Sequence, residues 1–413
     1  MWRMLTLLHT SDWHLGRALY GRSRDDEFAA FLDWLAETMR RERVDVLEVA
    51  GDIFDTTTPT HRAQALYYGF LRRVAAGAVC RHVVIVAGNH DSPSFLDAPG
   101  ELLSALDVHV VGRKRDDPAD EVLLLENADG AAVAIVCAVP YLRDRDLREV
   151  EPGESIADKE AKLLQGLCAH YARVAEIAGE KRAGRDIPVV AMGHLFTDGG
   201  KTVDGDGVRE LYVGSLAHVP AELFPPTLDY LALGHLHLPQ TVRGAERIRY
   251  SGSPLAMGFA EAAQEKSVCR VVFEGRAPTV TRIPVPVFRR LARVEGDWAR
   301  IERVLAGLKA DGSAWWLEVD YSGEETLGDL RQRVDELVAG TRLEVLRVRA
   351  SRLTARLIAA QRFEEALEDL GVEDVFERCL DANRIPGAER AELRRAHAEA
   401  CLALDEEDGA RTE

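Results

Sequence analysis

Short apolar runs in this chain repeatedly end in residues that can bind a metal ion, and this recurrence constrains the fold more than any other feature. The first run, LTLLHT, is followed by Asp12 and His14, with one residue between them. In extended backbone, residues i and i+2 point to the same side, so this carboxylate and imidazole leave the strand end together. A single Asp-x-His pair is weak evidence, because a solvated Asp beside a loop His is commoner. Its repetition makes it informative.

Four later apolar runs end in the same way. In each of them a glycine, which lets the backbone turn sharply and approach closely, comes directly before the first polar residue. The residues that follow these glycines are Asp52, Asn89, His90, Asp91, His194, His235 and His237. At His235 and His237 the i, i+2 spacing again directs two imidazoles to one side.

Helical patterns separate the apolar runs, which predicts an α/β layered domain. The helical stretches are Asp25 to Arg41, Thr60 to Ala76 and Lys159 to Gly179. In such folds the functional groups lie on loops beyond the strand ends. We therefore expect the polar residues after the five runs to meet at one edge of the fold.

A change of composition at residues 276–288 (RAPTVTRIPVPVF) predicts a domain boundary, because Pro284 and Pro286 exclude a helix or a central strand. Strand and helix patterns then alternate in a way that resembles a small split βαβ unit. The last segment is charged and helix-rich. The predicted regions are a layered α/β domain (1–280), an α/β capping domain (287–352) and a helical C-terminal partner-binding region (353–413).

The formal net charge of −17, from 69 acidic and 52 basic residues, argues against nucleic-acid binding through a general basic surface. A nucleic-acid role would need a local basic groove, bound cations or a partner subunit. The six cysteines include no C-x-x-C pair, which favours reduced thiols in a cytoplasmic protein. No apolar run approaches the roughly twenty residues that span a bilayer.

The candidate ligands combine carboxylate, amide and imidazole groups without a thiolate, which disfavours a structural zinc site. The candidate ligands are Asp12, His14, Asp52, Asn89, His194, His235 and His237. Seven are too many for one ion but suit two, and Asp52 fits the position of a bridging carboxylate. Two cations about 3.5–4 Å apart can hold both the attacking and the leaving oxygen of a phosphoryl displacement and can activate water. The pattern therefore indicates phosphoryl chemistry.

The motifs DxH, GD, GNHD, GH and GHLH, in this order, resemble those of the calcineurin-like metallophosphoesterases. The segments HTSDWHLGR, GDIFDT, GNHDSP, GHLFTDG and YSGSPLAMGF are similar to the SbcD nuclease family, the bacterial counterpart of the meiotic-recombination nuclease of eukaryotes and archaea. The similarity is strong from about Leu5 to Phe273 and implies a layered β-sandwich flanked by helices. Gly258 stands where the family pattern has serine, at no ligand position.

The resemblance also implies roles for the site residues. One metal would be held by Asp12, His14, Asp52 and His237, and the second by Asp52, Asn89, His194 and His235. His90 would lie beside the scissile phosphate without binding metal, and Asp91 would orient His90. Manganese is the ion that the resemblance implies, although zinc or iron would also fit these ligands.

By the same resemblance, the reaction is ATP-independent phosphodiester hydrolysis in DNA: 3′→5′ exonuclease action on duplex ends and endonuclease action on single strands and hairpins. A homodimer would work with an SbcC-type coiled-coil ATPase in DNA recombination, replication and repair. Two alternatives stay open. One is a metallophosphatase or cyclic-nucleotide phosphodiesterase for small substrates, and the other is a non-catalytic subunit that binds DNA ends.

Several polar residues have no assigned role at this stage. Asp55 could support the site or cap the next helix, and His218 is interpreted as structural. Histidines that match no motif are interpreted as structural or surface residues: His61, His82, His109, His170 and His397.

Overall fold

A computed structural model describes residues 4–77, 79–149, 154–197, 200, 219–323 and 329–350, together with single residues between 376 and 397. Two six-stranded sheets form a sandwich, and a separate three-stranded sheet follows them in the chain. The predicted α/β sandwich is confirmed. The predicted helical region 353–413 lies almost entirely outside the described residues.

The first sheet holds the opening strand near its centre. Its strands, numbered in chain order, are β1 (Leu5–Thr10), β2 (Val46–Ala50), β3 (His82–Val86), β4 (Val108–Val111), β11 (Ser267–Glu274) and β12 (Ala277–Pro284). They lie in the order β12-β11-β1-β2-β3-β4. Since β1 to β4 pair in parallel, their carboxyl ends meet at one edge.

The second sheet repeats this arrangement. Its strands are β5 (Val122–Glu126), β6 (Ala132–Ala138), β7 (Val189–His194), β8 (Tyr230–Gly234), β9 (Gln240–Val242) and β10 (Ala245–Tyr250). They lie in the order β5-β6-β7-β8-β10-β9, with β6, β7, β8 and β10 parallel. The central strands of both sheets are buried along their whole length and are mostly apolar, because both of their faces are covered.

Helices cover the outer faces of the sandwich. They are α1 (Asp25–Glu42), α2 (His61–Ala76), α3 (Pro93–Asp97), α4 (Gly100–Ser104), α5 (Asp144–Leu147) and α6 (Ile156–Arg182). In α1, the apolar side chains recur at helical spacing on one buried face. The hydroxyl of Thr60 accepts a hydrogen bond from the N–H of Ala63 and caps α2.

The third sheet consists of β13 (Arg290–Gly296), β14 (Trp315–Tyr321) and β15 (Leu343–Arg349), connected by α7 (Trp298–Asp311) and α8 (Leu330–Val338). Its strands pair in parallel and in chain order. The predicted split βαβ arrangement is therefore wrong: each strand bonds directly to the next, and no strand is inserted between them.

Trp316 of β14 joins this sheet to the sandwich. It is buried in a small apolar cluster with Leu19, Phe259 and Leu291. Beside the cluster, the Arg347 guanidinium donates a 2.7 Å hydrogen bond to the hydroxyl of Tyr20, whose ring stacks on Phe259.

Four strands, β5, β9, β10 and β12, are missing from the sequence-based prediction. β9 and β12 lie at sheet edges, where one side of the strand needs no hydrogen-bonded partner, and β12 tolerates Pro284 as its last residue. Among the described residues, no helix is long and apolar enough to cross a bilayer.

One carboxyl group is buried in the middle of the sandwich. Glu48 of β2 is fully buried, and its carboxylate makes no hydrogen bond to any described residue. Burial raises the pKa of this group well above its ordinary value of 4.5. The folded protein therefore binds a proton here that the unfolded chain releases at lower pH.

Replacing Glu48 with Gln should flatten the pH dependence of stability. A raised folded-state pKa means that wild-type stability falls as pH rises above 4.5, by about 1.4 kcal/mol per pH unit from this one group, until the raised pKa is reached. Urea unfolding between pH 5 and 7 measures the slope. The matched control, Glu274→Gln, removes an exposed carboxylate and should keep the wild-type slope. A parallel decline in Glu48→Gln and wild type would contradict this account.

Candidate metal centre

The carboxyl ends of both sheets meet at one edge of the sandwich, and the predicted ligands follow them there. Asp12 follows β1, Asp52 follows β2, and Asn89 follows β3, while His194 ends β7 and His235 follows β8. A hydrogen bond of 2.9 Å from Nδ1 of His194 to the carbonyl of Ala50 joins the two sheets at this edge.

Four of the predicted ligands have left-handed backbone conformations, so the extended backbone expected at Asp12, His14 and His235 is wrong. The φ angles are 54° at Asp12, 48° at His14, 51° at Asp52 and 102° at His235. For residues other than glycine this conformation costs roughly 1–2 kcal/mol each, and such strain clusters at functional sites. Gly51, which precedes Asp52, is also left-handed, and a Cβ at this position would overlap the His194 ring.

Asp52 occupies the centre of the cluster. Its Oδ2 lies 3.6 Å from Nε2 of His14 and 3.4 Å from Nε2 of His194. Its Oδ1 accepts a 2.9 Å hydrogen bond from the backbone N–H of His90. One carboxylate oxygen thus faces imidazoles from both sheets, as a bridging ligand would require.

The imidazoles direct their Nε2 atoms toward a common space. Nδ1 of His194 donates to the Ala50 carbonyl, and Nδ1 of His237 lies 2.9 Å from Oε1 of Glu261. Their Nε2 atoms lie 3.0 Å from Oδ1 of Asn89 and 3.2 Å from Nε2 of His14, respectively. Metal-binding histidines typically hold their second nitrogen in this way.

The donor set fits divalent cations. Three groups of residues at this edge bring one ligand atom each within 4.8 Å of one another: Asp12, His14 and His237; Asp12, Asp52 and His194; and His14, Asp52 and His90. Nε2 of His235 is buried and has no hydrogen-bond partner among the described residues. A buried nitrogen without a hydrogen-bond partner lowers the stability of the fold unless a bound ion or ligand contacts it.

The pKa values of His194 and Asp52 show how charge is balanced in the cluster without cations. Burial opposes protonation of His194, but the Asp52 carboxylate outweighs burial and raises the His194 pKa to about 9. Burial likewise opposes ionisation of Asp52, yet His194 and His14 hold its pKa well below the ordinary value. A proton on His194 thus supplies positive charge where a cation would bind, and metal binding must displace it.

The predicted role of Asp91 in orienting His90 is wrong. The Asp91 carboxylate accepts hydrogen bonds from the backbone N–H groups of Ile53, Phe54 and Gly88, at 3.1, 2.9 and 2.8 Å. Burial, together with the charge of Asp52, raises the Asp91 pKa to about 6. Asp91 therefore fixes the two loops that carry Asp52 and Asn89. Sequence adjacency to His90 suggested the other role because it does not reveal these backbone partners.

His90 is oriented by backbone instead. Its Nδ1 lies 2.8 Å from the carbonyl oxygen of Asp55, and because that oxygen can only accept, Nδ1 carries the hydrogen. The half-buried ring lies edge-on to His14, with centroids 4.9 Å apart. His90 thus presents Nε2 at the border of the cluster.

Asp55 supports the cluster and does not cap α2, whose cap is Thr60. Its Oδ1 lies 3.3 Å from Nδ1 of His14 and accepts a 3.0 Å hydrogen bond from Arg17. Partial burial raises the Asp55 pKa, but His14 and Arg17 outweigh it and lower the pKa to about 2. The ionised carboxylate holds the His14 ring. His218 lies outside the described residues.

Glu261 is the supporting residue that sequence reasoning missed. It is fully buried, and it bonds to Nδ1 of His237 through one oxygen and to Nζ of Lys266 through the other. Burial opposes its ionisation, but His237 and Lys266 lower its pKa to about 2. The only signal in the sequence is an acidic residue soon after YSGSPLAMGF, which by itself specifies no contact.

Comparisons with known proteins agree with this geometry. The family model for calcineurin-like phosphoesterases matches residues 5–239, and that for the type 5 capsule protein repressor C-terminal domain matches residues 287–384. The SbcD subunit of nuclease SbcCD from Escherichia coli is 36% identical over 392 residues, covering 94% of this chain and 96% of that protein. The protein of the same name from Rhodobacter capsulatus is 36% identical, covering 74% and 75%, and that from Bacillus subtilis 37%, covering 64% and 65%.

The fold is thus that of a calcineurin-like phosphoesterase, a class of metal-dependent hydrolases. Within that class, the similarity extends over nearly the whole chain. The chain belongs to the SbcD family of nuclease subunits.

Replacing Glu261 with Gln should weaken cation binding at His237. The substitution removes the charge that fixes the His237 ring, and loss of such a partner typically costs 10–100-fold in metal affinity. Calorimetric titration of EDTA-stripped protein with Mn²⁺ measures the change. Since Lys266 also loses its buried counter-ion, circular dichroism must first show that the variant is folded.

Glu265→Gln is the matched control, because it removes an exposed carboxylate from the same segment. It should bind Mn²⁺ like wild type. Unchanged Mn²⁺ affinity in folded Glu261→Gln would show that this carboxylate does not support the site.

Proposed function

We propose that this protein hydrolyses phosphodiester bonds in DNA with two divalent cations, Mn²⁺ in particular. The main support is that candidate ligands from both sheets converge around Asp52. Membership of a nuclease family supports DNA as the substrate.

We assign the ligands as the sequence motifs suggest. One cation is held by Asp12, His14, Asp52 and His237, and the other by Asp52, Asn89, His194 and His235. The position of Asp52 between His14 and His194 supports a shared ligand. When bound, a pair of cations supplies charge stabilisation to the attacking and leaving oxygens of phosphoryl displacement and lowers the pKa of water.

His90 acts on the substrate. Its Nδ1 hydrogen bond to the Asp55 carbonyl persists when the ring is protonated, because both nitrogens of an imidazolium are donors. Nε2 then donates a hydrogen bond to a phosphate oxygen or a proton to the leaving oxygen. The backbone bond from His90 N–H to Asp52 keeps this donor beside the cluster. His90 therefore stabilises the transition state or assists departure of the leaving group.

Membership of the family supports a proposal for the biological setting. The relatives are named as a subunit of the SbcCD nuclease, which supports an SbcC-type ATPase as partner. We propose a homodimer that works with this ATPase in the cytoplasm, in DNA recombination, replication and repair. Its actions are ATP-independent 3′→5′ exonuclease cleavage of duplex ends and endonuclease cleavage of single strands and hairpins. Because the chain carries a net charge of −17, the partner and the bound cations contribute to holding DNA.

His90→Gln should abolish DNA cleavage while leaving the cations in place. An end-labelled DNA hairpin is incubated with Mn²⁺ or EDTA, and metal content is measured in parallel. We expect wild type to cut only with Mn²⁺, and the variant to cut about 10²–10⁴-fold more slowly, as for loss of a positioned acid. His61→Gln, which changes an exposed histidine of α2, should cut like wild type.

Two results would contradict the proposal. Full cleavage by His90→Gln would remove His90 from the reaction. Intact DNA with wild type and the ATPase present, together with hydrolysis of a small phosphodiester, would favour the metallophosphatase or cyclic-nucleotide phosphodiesterase alternative.

The segment after Leu353 is our proposed ATPase-binding region. Deleting it should abolish copurification with the ATPase, while Mn²⁺-dependent hairpin cutting continues because the metal centre lies in the sandwich. Co-expression with a tagged ATPase and a pull-down measures the first outcome. Copurification at the wild-type level would place the contact elsewhere.

A further inference from the structure

A second cluster of possible ligands lies at the opposite end of the sandwich. His82 is the first residue of β3, Asp107 precedes β4, and His109 lies within β4. His109 pairs with Val84, so alternation along the parallel strands places His82 and His109 on the same face, toward the second sheet. The three residues bring one ligand atom each within 4.8 Å of one another.

The His82 ring is already held as a metal ligand would be. Its side chain is 7% exposed, and Nε2 lies 2.8 Å from the carbonyl oxygen of Glu126 at the end of β5. Because a carbonyl only accepts, Nε2 carries the hydrogen and Nδ1 carries the lone pair. Nδ1 is buried and has no hydrogen-bond partner among the described residues. It therefore bears the cost of an unsatisfied polar atom, about 1–3 kcal/mol.

The carboxylate of Asp107 faces Nδ1 of His82. Its Oδ1 lies 3.8 Å from Nδ1 of His82, too far for a hydrogen bond but suited to two ligands of one ion, each roughly 2.0–2.2 Å from the metal. The left-handed backbone of Asp107, with φ of 55°, lets its carbonyl accept from the N–H of Val83 while the side chain turns toward His82.

His109 supplies the second imidazole. Its ring centroid lies 6.0 Å from that of His82. A cavity of about 960 Å³, lined in part by His82 and Asp107, gives a cation access to the cluster.

We propose that His82, Asp107 and His109 form a third cation site, distinct from the strand-end centre. Two imidazoles and one carboxylate select a borderline divalent cation such as Zn²⁺, with the remaining position open to water. His82 and Asn89 lie seven positions apart in largely extended chain, so the site lies about 20 Å from the strand-end centre. A bound cation ties β3 to β4 and, through the Glu126 carbonyl, to the second sheet.

Zinc stoichiometry tests the proposal. Full-length wild type, His109→Gln and Asp107→Asn are stripped with EDTA, dialysed against Zn²⁺ at pH 7.5 and assayed for bound metal. We expect wild type to bind one Zn²⁺ per chain more than His109→Gln. Asp107→Asn keeps a residue that tolerates left-handed backbone, and should bind this ion at least tenfold more weakly. His61→Gln, which removes an exposed imidazole elsewhere, should match wild type.

A second readout is independent of the count. Zn²⁺ should raise the melting temperature of wild type more than that of either variant, because a cation bound only by the folded state stabilises it. Equal stoichiometry and equal Zn²⁺-dependent shifts in wild type and Asp107→Asn would overturn the proposal, even if His109→Gln fails to fold. Hairpin cleavage with Mn²⁺ plays no part in this test, so its outcome is separate from that of the proposed function.

Discussion

The hydrogen bond from His194 to the carbonyl of Ala50 is the contact on which the strand-end centre depends. It joins the end of β7 in the second sheet to the end of β2 in the first. Because it uses Nδ1, it leaves Nε2 of the same ring 3.4 Å from Asp52. One bond therefore sets both the closure of the sandwich at this edge and the orientation of a ligand. Close approach also requires glycine at residue 234, where a Cβ would overlap the Ala50 carbonyl.

Strain and burial are concentrated at the same edge. The left-handed backbones of Asp12, His14 and Asp52 are held by hydrogen bonds between the two loops: Asp12 N–H donates to Gly51, and His14 N–H to Asp52, at 2.9 and 3.0 Å. Backbone pairing thus continues beyond the strands. The ligands are fixed before a cation binds, so binding costs less conformational entropy.

Much of this site could be predicted from sequence, because the candidate metal ligands occur at positions that sequence patterns mark. Glycines after apolar runs mark strand ends, and parallel strands bring their carboxyl ends together, so Asp12, Asp52 and His194 could be grouped in advance. The residues that support the ligands are not marked by any such pattern. Glu261 reaches His237 only through a chain reversal, and Asp91 bonds to backbone groups some 38 residues away. Edge strands such as β12 were missed because they lack a buried face on which periodicity depends.

The short 3₁₀ turn Phe259–Glu261 has two neighbours that no local pattern connects. Its first residue packs with Trp316 of the third sheet, and its last residue holds His237. Because one residue separates Phe259 from Glu261, the packing of the third sheet on Phe259 and the support of the His237 ring depend on the same short turn.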